Sequence, residues 1–473
     1  MKKMMMNRLL IVTILAAAVS CGPGVTLTKE DRKLPDQYIG LDRNDTTTIA
    51  KLHWKEYFRD TLLQGYISTA LENNYSFRIA MERVNIASNE IRVARGAYFP
   101  SASFGAGAGV ERFGRYTLDG IDMTGLPDPY SDFSLGITFQ WEVDIWGKIT
   151  KKKQAAMHRW MASSEAVRLS QSYIIREVAN NYFRLIGLDY FRNVIEEYIK
   201  DTEKSCELTA ELKNSGEETQ LAVDQFNARL YYLKGMLLNN EAEIMATERA
   251  MSLLMGVLPQ SIDRISFEEL QEIQFRREIG VPVELLQYRP DILIAESELM
   301  AAECDAEAAK KAFFPTLSLA GGGGFNAFDA AFLFTSPASL VFSLAAGLTA
   351  PIFQSGRIKA NWENAKSEQI IALNNYFQTV LSACQEVVGV VSELQFTQEQ
   401  QILKENEMQS YKDASENAME LFHLQYASYL EVLSAEEKYF DCRLDYMELQ
   451  MKYCRLIVDL YRSLGGGAIV IAE

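Results

Sequence analysis

The sequence is short of the residues from which most catalytic and metal sites are built. Its 473 residues include three histidines and six cysteines. His53, His158 and His423 are scattered, with no serine, aspartate or cysteine partner at a recognisable spacing, and there is no phosphate-loop glycine pattern. Beyond Cys21, the cysteines (Cys206, Cys304, Cys384, Cys442 and Cys454) are odd in number and widely spaced, so they suggest neither a disulfide framework nor a CxxC metal site. Met1, Met4, Met5 and Met6 belong to a leader, and the other methionines form no dense soft-metal cluster. The expectation is therefore no enzyme, no catalytic residue, no metal and no cofactor. Basic residues are also scarce, 47 Lys and Arg against 63 Asp and Glu, for a net charge of −16. Nucleic acid needs a basic surface, so it is excluded as a partner. Proline is absent from 148–213 and 357–424, which leaves long stretches free to be helical.

What is present is a strict alternation. In FSLGITFQWEVDIWGK (133–148), Phe133, Leu135, Ile137, Phe139, Trp141, Val143 and Ile145 take every odd position. The even positions from Ser134 to Asp144 are polar or glycine. Alternate side chains of a β-strand point to opposite faces, so one face is apolar and the other carries Glu142 and Asp144. Such a strand suits a soluble core or the wall of a membrane barrel between lipid and a wet lumen. The stretch occurs twice. FSLAAGLTAPIFQSGR (342–357) repeats it, with Gly356 matching Gly147 at an offset of 356 − 147 = 209. Glu177 and Glu386, and Gly256 and Gly465, keep that offset. Upstream, Pro100 and Pro315 are 215 apart, so the first copy carries 215 − 209 = 6 extra residues. Two fused copies of one unit account for the length.

Each copy follows its strands with a proline-free arm rich in Ala, Glu, Gln, Leu and Lys, its apolar residues three and four apart. An arm of about 65 residues would reach on the order of 100 Å as a helix. The arms break at Gly216 and at its repeat equivalent Gln425, then return to Gly256 and Gly465. The unit reads as a helix (about 60–95 in the first copy, 290–311 in the second), two strands and a long helical hairpin. Four strands cannot close a membrane barrel, which needs about eight, so the chain must oligomerise. A dimer gives eight strands and a trimer twelve. Loops 114–131 and 326–339 join the strands at one end, and the AFLF of the second is placed to constrict the exit. The GGGG at 321–324 lies in a strand, where close packing or pore width explains it.

At the N-terminus, Lys2, Lys3 and Arg8 precede an apolar run, 9–19, too short to span a membrane, and then Ser20 and Cys21. This reads as a secretory signal ending at a lipobox, with Ala18 where leucine is usual, so acyl and diacylglycerol groups are expected on Cys21. Removing three positive charges takes the net charge from −16 to about −19. The expected divisions are 1–20 signal peptide, 21–59 anchored extension, 60–258 first repeat, 259–284 linker, 285–467 second repeat and 468–473 tail.

LLQYRPDILIAESELMAAECDAEAAKKAFFPTLSL (285–319), Trp54 with Phe58 and Asp60, SYLEVL from Ser428 and LYRSLGGG from Leu460 resemble the TolC-like outer-membrane efflux proteins. Within that family they resemble the lipoprotein branch of OprM and NodT type. The resemblance implies a homotrimer with a twelve-stranded barrel in the outer membrane, continued by a helical coiled-coil tunnel through the periplasm. It also implies a periplasmic adaptor and an inner-membrane pump of the resistance-nodulation-division class as partners. The alternatives are the outer-membrane part of a type I secretion system and a non-conducting tethering lipoprotein. By position, the gate falls on Tyr426, Ser428, Tyr429, Glu431 and Ser434, and adaptor contacts fall on Gly216, Glu217 and Gln425. Glu142 and Asp144 are the candidate lumen carboxylates. Gln425 and Ser434 depart from the family's usual glycine and acidic residue. That leaves Glu431 as the ring-forming carboxylate, or as a solvated helix residue.

Overall fold

A computed structural model describes residues 48–114, 116, 129–280, 282–424 and 426–467. The signal peptide, Cys21, Gln425 and the tail lie outside the described residues. Two helices dominate, α4 (Lys148–Ser215) and α9 (Arg357–His423), of 68 and 67 residues. Each starts directly after a glycine in the left-handed region, Gly147 at φ 73° and Gly356 at φ 80°, which lets the chain turn from strand into helix without a Cβ clash. They end where the 209-residue offset requires, and with the same cap. Glu217 N–H donates to Leu212 C=O at 2.9 Å, and Tyr426 N–H to Leu421 C=O at 2.8 Å. The return helices are α5 (Gln220–Leu254) and α10 (Tyr429–Ser463).

The helix expected over about 60–95 is two helices, α2 (Thr61–Asn73) and α3 (Tyr75–Gly96), broken at Asn74; they follow the single turn α1 (Trp54–Tyr57). The break has a physical cause. Asn74 Oδ1 accepts from Phe77 N–H at the start of α3, while its Nδ2 donates to Leu254 C=O at the end of α5, 2.8 Å away. One side chain thus satisfies helix ends on both sides of a joint. The second repeat makes the same joint with a different residue. Arg289, ahead of α8 (Pro290–Lys311), donates from Nη1 to Ser463 C=O at 2.7 Å, and 254 + 209 = 463. So α3 stacks end to end on α5, and α8 on α10. The chain is four helical columns wide along its length: α3/α5, α4, α8/α10 and α9.

Above the helices lies one antiparallel sheet in chain order: β1 (Ser101–Glu111), β2 (Tyr130–Val143), β3 (Thr316–Ala327) and β4 (Leu340–Thr349). The pairing of β2 with β3 joins the two repeats. Around the middle of α4, residues 48–58 and the 259–284 segment, with α6 (Phe267–Glu272), wrap the main core before α7 (Leu285–Tyr288). Tyr57 stacks on Tyr461 at 4.2 Å, and Tyr461 Oη donates to Leu52 C=O at 2.6 Å. Residues 48–58 of the expected extension, and the described residues of the expected linker, therefore fold into the body of the protein.

Candidate functional site: the sheet wall and the hairpin ends

Residues directly opposite in antiparallel pairs share a face, so the register sorts the whole sheet. Phe104 pairs with Ile137, Ile137 with Gly323, and Gly323 with Phe342. Ala106, Leu135, Phe325 and Leu340 form the next row, and Trp141, Leu319 and Ala346 continue the face downward. Apart from Ser131 at its rim, every residue on this face is apolar or glycine, and its large side chains are open: Phe104 is 70% exposed, Phe342 86% and Leu344 77%. The opposite face carries Ser103, Thr138, Gln140, Ser134, Asn326, Ser343 and a row of Gly105, Gly136 and Gly324. A Cβ on Gly324 would run into the backbone of Leu135 and Gly136, so this part of the wall is bare backbone. A sheet whose two faces differ this sharply separates lipid from water.

The same two flanks are uncovered in sheet and helices. β1 and β4 each have one unpaired edge. In the columns beside them, α5 exposes Leu221, Tyr231, Tyr232, Leu238 and Leu253, and α9 exposes Ile370, Leu381, Phe396, Ile402 and Leu403. The inner columns expose less: α8 exposes no large apolar side chain, α10 only Leu430 among the described residues, and α4 only Met157, Trp160, Met161 and Tyr173, all in its first half. An edge-to-edge ring of copies covers both flanks at once.

The structure redistributes the candidate residues. Asp144 is not on a strand face. It lies one residue past β2 and caps α4, with Oδ1 accepting from Ile149 N–H at 2.9 Å and Oδ2 from Thr150 N–H at 2.8 Å and Thr150 Oγ1 at 2.7 Å. Glu142 is on the polar face and pairs with Lys148 Nζ at 2.5 Å. At the far end, Gly216 and Glu217 sit exposed at the tip between α4 and α5. Tyr426 is 82% exposed, and Ser428, Glu431 and Ser434 are exposed at the start of α10, with Tyr429 half-buried. Glu431 reaches back along the chain and accepts from Ser428 N–H at 2.7 Å and Ser428 Oγ at 3.0 Å, bonds that lower its pKa. The adaptor candidate Gln425 lies outside the described residues.

Sequence reasoning missed a cluster further up the hairpins. Arg229 of α5 lies over the rings of Tyr198 on α4 (5.6 Å), Tyr232 on α5 (5.4 Å) and Phe440 on α10 (5.4 Å), and its Nη1 meets Glu437 at 3.2 Å. Next to it Glu436 is only 8% exposed. Burial, with help from the Asp201 charge and against the pull of Arg229, pushes its pKa up to about 7. The signal was there: Val432, Glu436 and Phe440 are four apart, so the carboxyl lies on a buried stripe.

A four-stranded amphipathic wall with open edges, continued by about 100 Å of helical columns, defines a subunit of an oligomeric outer-membrane conduit. The sequence matches the outer membrane efflux protein family over residues 66–257 and 281–466, and the chain belongs to that family. It is similar to the cation efflux system protein CusC of Escherichia coli O6:H1, 27% identical over 470 residues, covering 97% of this chain and 98% of CusC. It is also similar to the solvent efflux pump outer membrane protein SrpC of Pseudomonas putida, 28% identical over 430 residues and 90% of each chain. The crystal structure of the outer membrane protein VceC from Vibrio cholerae superposes with a TM-score of 0.77 at 25% identity, covering 88% of this chain and 98% of VceC. The protein is accordingly an outer-membrane component of an efflux system.

Proposed function

We propose that the chain is the passive exit duct of a tripartite pump: a homotrimer whose twelve strands close a barrel, and whose twelve helical columns form a tunnel through the periplasm. The single observation that carries this reading is the agreement of uncovered flanks, sheet edges and apolar helix stripes falling on the same two sides. A trimer of a four-stranded unit reaches a strand number that single-chain barrels also use. Energy comes from an inner-membrane pump of the resistance-nodulation-division class through a periplasmic adaptor, which meets the hairpin tips at Gly216, Glu217 and Gln425. The second hairpin, from Tyr426 to Ser434, closes the entrance. No cofactor takes part, and lipid on Cys21 holds the extension at the membrane.

Asp144 and Glu142 serve the strand-to-helix joint in this reading. The bare glycine wall then sets the width of the lumen, and the carboxylates near the barrel base add little ion preference. The test is single-channel current of the detergent-extracted protein in a planar bilayer under a salt gradient. Small discrete openings are expected. A protein that inserts as an oligomer and never conducts, even with the second hairpin loosened by substitution, is a tether instead.

A further inference from the structure

The loop between β3 and β4, residues 328–339, is rich in aromatic side chains that the conduit reading does not use. Sequence alone placed its AFLF across the exit; the ring geometry places part of it elsewhere. Phe325 belongs to the apolar face, in the row with Leu135 and Leu340. Phe334 packs edge-on against Phe325 at 5.6 Å, so the loop brings this ring to the lipid side of the sheet. Phe334 is 66% exposed there. The loop is internally tied: Ser339 is buried and its Oγ donates to Phe332 C=O at 2.5 Å, while Ser339 N–H donates to Thr335 C=O at 2.9 Å. A tied loop holds its rings in place.

The other end of the sheet has a matching belt. Trp146 stacks on Phe314 at 5.1 Å and donates from Nε1 to Pro315 C=O at 2.7 Å. Between the belts lies the part of β3 from Thr316 to Phe325, ten of its twelve residues. At about 3.3 Å per residue and a tilt near 40° that is roughly 25 Å, the height of the apolar band of a membrane barrel. Aromatic rings gather at both rims of such a band, where one side is apolar and the other wet.

We propose that the β3–β4 loop is an outer-leaflet anchor, with Phe334 seated beside Phe325 among the acyl chains of outer-leaflet lipid rather than across the pore exit. The inference rests on the outer-membrane placement of the sheet and not on conduction. The loop then fixes the depth and tilt of the barrel, and the exit stays open on the side of Asn326 and Asp132, whose side chains bond to each other at 2.6 Å.

The test uses the full oligomer in phosphatidylcholine vesicles whose acyl chains carry bromine. In Phe334→Trp, the emission added over the parent protein is expected to be quenched by the brominated lipid and insensitive to iodide in the water. Quenching by iodide alone overturns the proposal. Independently, Phe334→Ala is expected to leave single-channel current unchanged; a rise of about twofold or more assigns the ring to the lumen and overturns it as well. A parent protein without current refutes the conduit and leaves the fluorescence result to decide the loop.

Discussion

The two repeats share their backbone and differ in what covers it. Both carry left-handed glycines at the strand-to-helix turn and after the return helix: Gly147 and Gly356, then Gly256 and Gly465. Both tips close with the same carbonyl cap. The return helices, however, bury different stripes. α5 buries Ala222, Phe226 and Leu233, whereas α10 buries Val432, Glu436 and Phe440, equivalent to 223, 227 and 231. At the first two positions the shift of one residue turns the buried face by about 100°, while further on Cys442, equivalent to Leu233, is buried in both repeats. The cause is position: α10 packs along both α9 and α4, while α5 packs along α4, touches α10 only at points such as Arg229 with Phe440, and leaves its other side uncovered. Two hairpins of one backbone plan therefore present different faces, one with an uncovered side and the other packed along two neighbours within the chain.

The joints between stacked helices give the strongest contrast. Arg289 is almost wholly buried and holds Asp291 at 2.6 Å, Glu386 at 2.8 Å and the Ser463 carbonyl, and Arg462 also pairs with Glu386. Asn74 makes only neutral bonds at the equivalent joint. Arg289→Ala leaves two carboxylates short of their counter-ion and should cost about 3–5 kcal/mol. Asn74→Ala removes a cap and should cost about 1–2 kcal/mol. Thermal dissociation of the oligomer, followed for both variants, checks the ranking. Equal losses would mean that the joints are not equivalent in kind.

The hairpin starts offer the next test. Ala222 is fully buried where the second repeat has Glu431, exposed. Ala222→Glu forces a carboxyl against α4 and should destabilise the first hairpin by about 3 kcal/mol. Hydrogen exchange along α5 should rise near Leu221 to Leu233, with the second hairpin unaffected. A silent variant would show that α5 rolls freely on α4, and would remove the distinction drawn between the two faces.

Much of this was legible because the signals are long. Alternation over the strands and freedom from proline over the arms fix elements whose ends agree with the observed ones within a few residues. The 209-residue offset carries through to individual hydrogen bonds. What escaped is local. Asn73-Asn74 lies inside an ordinary helical pattern, and nothing in that pattern shows that Leu254 arrives from 180 residues away. Asp144 continues the alternation of β2 by one step, so it read as a wall residue until the start of α4 claimed both of its oxygens. Glu436 looked like any helical carboxylate because its spacing from Val432 and Phe440 marks a stripe without showing how completely another hairpin covers it.

Glu436 turns the comparison into a pH effect, since its first-repeat equivalent is Asn227, which cannot titrate. The groups facing it are Asp201 and Tyr198 from α4 and Arg229 from α5. While α10 is packed the carboxyl has a pKa of about 7; once released into water it returns toward 4.5. The packed state binds the proton more tightly, so its advantage is full in acid, falls as pH rises from about 4.5, and levels off above about 7. Open probability should therefore increase between pH 5 and 8, by about tenfold. Glu436→Gln should flatten that profile and hold the channel nearer its acid behaviour. A parent protein whose openings ignore pH would separate this carboxyl from gating.

The smallest effect is expected at Glu431, the carboxylate that position alone made the gate. Its oxygens are occupied by Ser428, and the bonds that depress its pKa also hold it against its own helix start. A carboxylate so held still carries charge, and three copies near an axis would favour cations. Glu431→Gln keeps the shape and part of the bonding while removing that charge. If the ring matters, cation preference in a salt gradient falls and current changes little. If selectivity and current are both unchanged, Glu431 only completes the capping box of Ser428, the equivalent of Thr219, which caps α5 by accepting from Ala222 N–H at 3.2 Å. The two hairpins would then begin alike, and their division of labour would rest on Glu436 and the rotated stripe alone.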